Sequence, residues 1–385
     1  MKFEIIDAED QQAVIKVIGV GGGGGNAVNY MQQCSIEGVE FISANTDAQA
    51  LQQSTATKVL QLGRNQTKGL GAGANPDIGR QAALEDREMI AEALHGADMI
   101  FITAGMGGGT GTGAAPIFAE IAKDVGALTV AVVTRPFGFE KRCKVADEGI
   151  RQLKESVDSL ITIPNERLLQ VMGKDASLKD TFAEANNVLA GAVQGISELI
   201  TRPGTINVDF ADVRTVMSEM GDAMMGAAVA EGANRAEEAT KEALSSPLLE
   251  DINFSGARGV LVNVTAGDIT IGEFATVGEL VNEMASGDAK VVIGTTIDET
   301  IGDELRVTMV ATGLDAKSKK PEAVIPHQEQ EVVRPIGRAV GGYEDVQAEE
   351  DLLVRPRSGL SIDSLPDADY ENKYDLPTIL REQYD

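Results

Sequence analysis

Apolar residues along this 385-residue chain fall into short continuous runs and into longer stretches with helical spacing. The short runs predict strands in a parallel sheet with both faces buried. Such strands are predicted at 14–20, 39–45, 99–102, 128–134 and 159–164. Helical spacing between the runs, as at Ile117, Ile121 and Val125, predicts covering helices. This alternation predicts an α/β fold built on a doubly wound parallel sheet.

A helical pattern without proline extends from about Ala176 to Thr201, with Phe182, Val193 and Leu199 on its apolar side. A helix of about 25 residues would span nearly 40 Å at roughly 1.5 Å per residue, which suits a central helix between two domains. The pattern after it predicts a second, smaller α/β domain. Its predicted strands are at 224–230, 259–265, 290–296 and 305–312, and its predicted helices are at 233–244 and 276–285.

The composition changes beyond Lys317, where six of the chain's 12 prolines lie and strong apolar periodicity disappears. These features predict a disordered linker followed by a short amphipathic segment that contains Leu376, Ile379 and Leu380. That last segment is either a partner-binding peptide or a frayed terminus. The predicted organisation is a flexible N-terminus at 1–12, a nucleotide-binding domain at 13–175, a central helix at 176–202, a second domain at 203–316, a linker at 317–373 and a tail peptide at 374–385.

Three glycine-rich segments precede predicted helices. The segment 107–113, GGGTGTG, lies between a buried strand and an amphipathic helix, and the run 21–25 is entirely glycine. Free backbone N–H groups at a helix N-terminus bind anions, and the absence of side chains lets a phosphate come close. Neither segment contains the G-x-x-x-x-G-K-[ST] motif, and the all-glycine run matches G-x-G-x-x-G only trivially. The third segment, 68–76, is either a phosphate-facing loop or a long connection.

The formal net charge of −27 argues against a nucleic-acid partner and against adsorption to anionic lipid. A nucleotide phosphate could still bind through backbone donors and a cation. Cys34 and Cys143 are the two cysteines of the chain and form no CxxC motif, which favours a reducing compartment. We find no signal peptide and no apolar run of membrane-spanning length, and we expect a cytoplasmic protein.

Asp209 and Asp212 lie three residues apart at the start of a helical pattern that continues through Met217 and Met220. Asp209 suits an N-cap position, where its side-chain oxygen would accept from a free backbone N–H group. On the residues alone, capping and compensation of the helix dipole account for both carboxylates.

The GGGTGTG segment at 107–113 and the NVDFADV segment at 207–213 resemble the signature loops of the tubulin/FtsZ superfamily of GTP-binding proteins. The resemblance implies binding of GTP or GDP and hydrolysis of GTP. It implies Mg²⁺ held mainly through nucleotide phosphates and water, with no certain protein ligand. The implied nucleotide contacts are Gly21, Gly22, Gly23, Gly24, Gly25, Asn26, Gly71, Ala72, Gly73, Ala74, Gly107, Gly108, Gly109, Thr110, Gly111, Thr112, Gly113, Glu140, Arg142, Asn165 and Asn187.

Within that set, the resemblance assigns the terminal phosphate to 71–75, the ribose to Glu140 and a further nucleotide contact to Arg142. It places a base-binding aspartate of the family at Asn187, where this chain departs from the pattern. An asparagine can accept from a guanine ring N–H through its oxygen, but without the strengthening effect of a charge.

The resemblance also implies that the 207–213 loop acts on the nucleotide of the next subunit. Asp212 would polarise the attacking water, and Asp209 and Asn207 would position it. Head-to-tail contact between two different surfaces produces a filament if the rotation does not close. The chain would then form protofilaments of a mid-cell division ring, with a tail that binds membrane tethers of the FtsA or ZipA type and with further division regulators as partners.

Two other functions stay open at this point. An NAD(P)-dependent oxidoreductase could use the 21–25 turn, but it would leave the GGGTGTG segment unexplained, and the only histidines are His95 and His327. A monomeric nucleotide switch would bind GTP without assembling. The distance of the Asp209 and Asp212 pair from its own subunit's phosphate site would separate this switch from a filament.

Overall fold

The computed structural model of the protein describes residues 13–173, 176–219, 221–246, 256–285 and 287–314. The predicted N-terminal segment, linker and tail peptide lie outside these residues.

Ten strands of the described chain form one sheet. They are β1 (Ile15–Val20), β2 (Val39–Asn45), β3 (Lys58–Gln61), β4 (Met99–Gly105), β5 (Leu128–Arg135), β6 (Ser159–Pro164), β7 (Gly221–Glu231), β8 (Gly259–Ala266), β9 (Lys290–Ile297) and β10 (Glu304–Leu314). Their spatial order is β3-β2-β1-β4-β5-β6-β7-β10-β8-β9. All pairs from β3 to β7 are parallel, whereas β10 is antiparallel to both of its neighbours.

Helices cover the sheet. They are α1 (Gly21–Gln33), α2 (Ala48–Gln52), α3 (Arg64–Thr67), α4 (Pro76–Glu85), α5 (Arg87–Leu94), α6 (Thr110–Asp124), α7 (Cys143–Ser156), α8 (Asn165–Met172), α9 (Leu178–Thr201), α10 (Phe210–Met217), α11 (Arg235–Leu244) and α12 (Ile271–Met284). None of the helices in the described ranges is both long enough and apolar enough to cross a membrane.

The central strands are apolar on both faces because helices pack on both. In β1, Ile18 and Val20 belong to the core shared with α4, α5, α6 and α7. Ile15 and Val17 belong to the opposite core, which α1, α9 and α10 cover. The doubly wound parallel sheet predicted from the continuous apolar runs is confirmed.

The second, smaller α/β half consists of β7 to β10 with α11 and α12, and it has its own apolar core around Val262, Val281 and Val307. Its strands continue the same sheet. The join is narrow, because β7 pairs with β6 at only three positions, from Ser159 to Ile161. The long helix α9 packs against strands of both halves and forms the predicted central helix.

The glycine run 21–25 was predicted to precede a helix, but that helix begins at Gly21 itself, so the prediction of a turn there is wrong. The glycines form the first helical residues because they allow backbone-to-backbone packing. A Cβ on Gly24 would lie 2.3 Å from the carbonyl oxygen of Thr103 in β4. Sequence preference alone disfavours glycine within a helix, and the close packing overrides it here.

Other helix limits also differ from the prediction, among them the start of α12, which is at Ile271 and not at 276. The single helix predicted after the segment 68–76 is divided into α4 and α5 at Asp86, whose carboxylate accepts from the backbone N of Gly63 at 2.6 Å. The long helix begins at Leu178, after Ser177 as N-cap. The helix expected to continue through Met220 ends at Met217, and Met220 lies outside the described residues.

Candidate functional site

A cavity of about 770 Å³ opens at the carboxyl ends of β1, β4, β5 and β6. Val20, Gly105 and Thr134 line it at three of these strand ends, and Asn165 lines it directly after β6. The face of α9 that contains Phe182 closes the remaining side. Ligands of open α/β sheets bind at this edge of the strands.

The N-termini of α1 and α6 both reach the cavity. Gly22 of α1 and Gly108, just before α6, line it, and a Cβ on either residue would meet no protein atom within 4 Å. The first backbone N–H groups of a helix have no partner inside the helix. The N-termini of α1 and α6 therefore both present free backbone N–H donors to the cavity. This arrangement can bind a polyphosphate.

The two threonines of the 107–113 loop hold the loop together. The Thr110 and Thr46 hydroxyl oxygens lie 2.7 Å apart, and the Thr112 hydroxyl accepts from the Gly107 backbone N at 2.9 Å. Thr110 lines the cavity, but Thr112 is not among its lining residues. Both hydroxyls therefore shape the loop.

The cavity brings together about half of the predicted nucleotide contacts. Those that line it are Gly22, Gly23, Asn26, Gly108, Gly109, Thr110, Gly111, Glu140, Arg142 and Asn165. Those that are not among its lining residues are Gly21, Gly24, Gly25, Gly71, Ala72, Gly73, Ala74, Gly107, Thr112, Gly113 and Asn187. The 71–75 loop packs beside the cavity, since a Cβ on Gly109 would lie 2.9 Å from the Cβ of Ala72.

Glu140 and Arg142 form an ion pair on the wall that follows β5. Glu140 also accepts from the backbone N of Phe137 at 3.0 Å, which fixes its carboxylate. At the end of the same strand, Arg135 donates to Asp147 of α7, and this hydrogen bond lowers the pKa of the Asp147 carboxyl. The Glu140 carboxylate is thus held in place, and a carboxylate can accept hydrogen bonds from sugar hydroxyls.

Asn165 carries the most informative side chain of the cavity. It is 4% exposed, and its Oδ1 atom has no hydrogen-bond partner among the described residues. A buried acceptor left without a donor costs about 1–3 kcal/mol. A ligand with an N–H group would satisfy this oxygen, and a guanine base has such groups.

Several residues of the cavity wall were not predicted, among them three on α9. Lys179, Phe182 and Asn186 lie along one face of α9 at helical spacing and line the cavity. The sequence pattern placed Phe182 in the apolar core, whereas it is 43% exposed and its ring meets that of Phe137 edge-on at 5.9 Å. The spacing of these three residues was the available signal, but only the fold shows which face of the helix meets the ligand cavity.

The Asp209 and Asp212 pair lies at the opposite end of the sheet. Arg214 of the same helix, α10, donates to the carbonyl oxygen of Asp98, directly before β4, at 3.4 Å. The last residue of that helix, Met217, accepts from the Ser159 hydroxyl at the start of β6 at 2.6 Å. The cavity is at the far end of both strands. The seven residues of β4 separate the two ends by about 20 Å at roughly 3.3 Å per residue.

Asp209 caps α10, and its Oδ1 accepts from the Asp212 backbone N at 2.8 Å. Asn207 closes the preceding turn by accepting from the Gly204 backbone N at 2.8 Å. Both side chains therefore shape the loop. The Asp212 carboxylate makes no hydrogen bond or ion pair within the described chain and is exposed. Among the described residues, no group of three or more His, Cys, Asp or Glu side chains could hold a metal ion.

Comparison with known proteins decides the family. The model of the tubulin/FtsZ family GTPase domain matches residues 14–173, and that of the FtsZ family C-terminal domain matches residues 221–315. The cell division protein FtsZ of Pseudomonas aeruginosa is 59% identical to the chain, with 100% of each chain covered. The chain belongs to the tubulin/FtsZ family. As a member of it, the protein is a GTPase with a guanine-nucleotide domain at 14–173.

Two further similarities agree with this assignment. The FtsZ of Coxiella burnetii is 66% identical over 315 residues, which cover 81% of this chain and 82% of the relative. A solved FtsZ dimer from M. jannaschii, described as empty, superposes with a TM-score of 0.76 at 45% identity and covers 80% of this chain and 90% of that one. The tubulin/FtsZ fold therefore includes both halves of the ten-stranded sheet.

Proposed function

We propose that the protein is the self-assembling GTPase of the cytoplasmic cell-division ring and that neighbouring subunits of a filament hydrolyse GTP together. This proposal rests on the relative positions of the nucleotide cavity and of Asp212. The nucleotide cavity and Asp212 lie at opposite ends of the same parallel strands, so Asp212 cannot reach the cavity of its own subunit. A second copy stacked head-to-tail would bring its Asp212 to that cavity.

In the proposed complex, the phosphates of GTP lie against the N-termini of α1 and α6. Gly22 and Gly108 leave the space that the phosphates need. Glu140 and Arg142 hold the ribose side, and the ring of Phe182 and the free acceptor of Asn165 hold the base. Mg²⁺ would be bound by phosphate oxygens and water, where it neutralises phosphate charge.

The proposed reaction is the attack of water on the γ-phosphorus. A new P–O bond forms to the water oxygen, and the bond between the γ-phosphorus and the bridging oxygen of GDP breaks. The exposed Asp212 carboxylate of the neighbouring subunit orients this water and accepts its proton. Asp209 and Asn207 keep the loop in shape through their own hydrogen bonds, so their part is positioning.

Exposed apolar side chains near the cavity and near the Asp212 loop support assembly. Near the cavity, Leu70 is 85% exposed, and Leu178, next to Lys179 of the cavity wall, is 62% exposed. At the other end, Ile206 precedes Asn207 and is 37% exposed. Contact between these two different surfaces is heterologous and extends into a filament when the rotation does not close. A nucleotide at that contact couples hydrolysis to filament stability.

The dependence of GTP hydrolysis on protein concentration tests this proposal. We expect turnover per subunit near zero below a threshold concentration and a steep rise above it, because each cavity is completed by a neighbour. Light scattering on the same samples should rise at the same threshold. A rate per subunit that stays constant on dilution would mean a self-sufficient site and would support the monomeric switch instead.

We also propose that residues 374–385 bind membrane tethers of the FtsA or ZipA type and thereby place the filament at the mid-cell membrane. The observation behind this is the short apolar pattern of Leu376, Ile379 and Leu380 after a proline-rich stretch. Deleting 375–385 should leave GTPase activity intact and abolish binding to purified tether protein. Full binding by the shortened chain would refute this role.

A further inference from the structure

A groove between α4, α6 and α7 lies apart from the nucleotide cavity. It consists of two adjoining cavities of about 360 Å³ and 220 Å³, which share Arg80 of α4 and Gln152 of α7. The helices α6 and α7 meet here through a glycine, since a Cβ on Gly149 would lie 2.3 Å from the Thr112 Cγ2 atom. No described residue lines both the groove and the nucleotide cavity, so a ligand of the groove need not compete with the nucleotide.

The wider part of the groove carries excess positive charge. Arg80 and Lys144, which is in the first turn of α7, both line it. Within the described part of the chain, neither side chain makes a hydrogen bond or an ion pair. Two carboxylates, those of Asp77 and Glu148, also line this part, but Glu148 already binds Arg151. One positive charge therefore remains without an opposite charge at this end.

The narrower part of the groove carries excess negative charge, because Glu120 and Glu155 line it. Glu155 shares Arg151 with Glu148. Glu120 lies 3.9 Å from Arg87, which binds a second carboxylate at 2.6 Å. Each of these arginines thus faces two carboxylates. The groove follows α7 for about 16 Å between its two charged ends, at roughly 1.5 Å per residue of the helix.

One segment of the chain carries charges in the matching order. Residues 349–357 read EEDLLVRPR, with three acidic residues, three apolar residues and two arginines around a proline. Successive side chains of an extended backbone point to opposite sides, so Asp351, Leu353 and Arg355 would share one side. Pro356 favours an extended conformation of the residue before it. Asp351 and Arg355 would then lie about 13 Å apart at roughly 3.3 Å per residue, and their side chains can cover the remaining length of the groove.

Two other segments combine acidic, apolar and arginine residues, but with a different spacing. In 329–335, EQEVVRP, Glu331 and Arg334 are three positions apart and would point to opposite sides of an extended backbone. In 375–381, DLPTILR, the acidic residue and the arginine are six positions apart. They would lie about 20 Å from each other at roughly 3.3 Å per residue, which is longer than the groove. The spacing therefore favours 349–357.

The last described strand ends near the acidic end of the groove. Leu314 is paired with Asp222 in the register of β10 and β7. The Asp222 carboxylate lies 2.8 Å from the Lys154 Nζ atom of α7, and the next residue, Glu155, lines the groove. Residues 315–348 could extend to about 110 Å at roughly 3.3 Å per residue. This length is more than enough for residues 349–357 to enter the groove from its positive end.

We propose that the groove between α4, α6 and α7 is a docking site for residues 349–357. The acidic residues of this segment bind at the Arg80 end, its arginines bind at the Glu155 end, and Leu353 packs against Pro116 between them. Docking would leave about 16 residues, instead of about 59, before the predicted tail peptide and would shorten the reach of that peptide. Only this consequence rests on the proposed role of the tail; the docking itself is independent of the proposed function.

Carbodiimide cross-linking of the full chain tests this contact, because the reagent joins an amine to a carboxylate that touches it. The protein is diluted and free of nucleotide, so that it does not assemble, and the joined peptides are measured by mass spectrometry. We expect Lys144 to be joined to a carboxylate of 349–351 at least about fivefold more often than Lys141. Lys141 is also exposed, but it does not line the groove.

Charge reversal tests the other end of the segment. Arg355→Glu should lower the yield of the Lys144 cross-link at least about threefold, since it replaces an ion pair by a repulsion. Arg334→Glu is the matched control, because Arg334 also precedes a proline but belongs to the segment with the wrong spacing. It should keep the yield within about 1.5-fold. Adding Glu155→Arg to Arg355→Glu should restore at least half of the lost yield.

Three results would overturn the docking: equal yields at Lys144 and Lys141, equal losses in Arg355→Glu and Arg334→Glu, or no recovery in the charge swap. None of the substituted residues lines the nucleotide cavity. The affinity for GDP should therefore stay within about twofold in every variant, which verifies that the fold is intact. A lost cross-link with normal GDP binding would refute the docking and leave the proposed GTPase function untouched.

Discussion

Replacing Asp212 with alanine is expected to lower GTP turnover at least about 100-fold and to leave the affinity for GTP within about twofold, since a positioned general base contributes about 10²–10⁴ in rate. The expectation follows from geometry. Asp212 is remote from its own cavity, so its loss cannot disturb nucleotide binding there. Its carboxylate is exposed and makes no hydrogen bond or ion pair among the described residues, and Asp209, not Asp212, supplies the cap of α10. Single-turnover hydrolysis and a separate binding titration measure the two quantities.

A matched control is Glu238→Ala. Glu238 is another exposed carboxylate in the first turn of a helix, α11, so its removal costs the same type of helix-dipole interaction. We expect normal turnover from it. Near-normal turnover in Asp212→Ala would contradict the catalytic role, and loss of GTP affinity in that variant would contradict the separation of the two sites.

Gly108→Ala is expected to weaken GTP binding about 100-fold, which corresponds to roughly 2.7 kcal/mol, without lowering the stability of the nucleotide-free protein. The new Cβ would meet no protein atom within 4 Å, so folding is not obstructed. It would project into the cavity, where the phosphates need close approach to the backbone. Calorimetric titration gives the affinity, and thermal unfolding without nucleotide gives the stability.

Gly191→Ala is the matched control for this substitution. Gly191 lies in α9 away from the cavity lining, and a Cβ there also meets no atom within 4 Å. This change should leave GTP affinity unaltered and raise stability slightly, because alanine favours a helix over glycine by about 1 kcal/mol. Unchanged GTP affinity in Gly108→Ala would mean that the phosphates do not approach this loop.

The two variants together test where hydrolysis takes place. Asp212→Ala retains an intact cavity, and Gly108→Ala retains an intact Asp212 loop. If one subunit supplies the cavity and the next supplies the carboxylate, mixing the two weakly active proteins should restore turnover above the sum of their separate rates. A mixture that shows only that sum would place both parts of the site in a single subunit.

The sequence predicted the strands well because buried parallel strands are continuous apolar runs. The limits of β2 and β6 agree with the predicted ones. The short edge strand β3 was missed, since two of its four residues are exposed and its apolar signal is weak. The start of α1 was missed because the packing of Gly24 on β4, which favours a helix there, depends on a strand that lies far away in sequence.

For the candidate site, the motifs indicated the glycine loops and the Asp209 and Asp212 pair but not their separation. That separation depends on Arg214 meeting Asp98 and on Ser159 meeting Met217. Nor does any local pattern show that the Asn165 oxygen lacks a partner. Such properties belong to the assembled fold, in which distant segments either supply a hydrogen bond or leave it unmade.

The strand order has a consequence for how the chain can assemble as it is synthesised. The first strand made, β1, is paired on both sides, and each strand from β2 to β7 finds a neighbour that has already been made. The sheet can therefore grow outwards in the order of translation as far as Glu231. After that point the order changes, because β8 has no earlier neighbour, and the pair of β8 and β9 connects to β7 only through β10. The two halves of the sheet become one only when Glu304–Leu314, the last strand of the described chain, has left the ribosome.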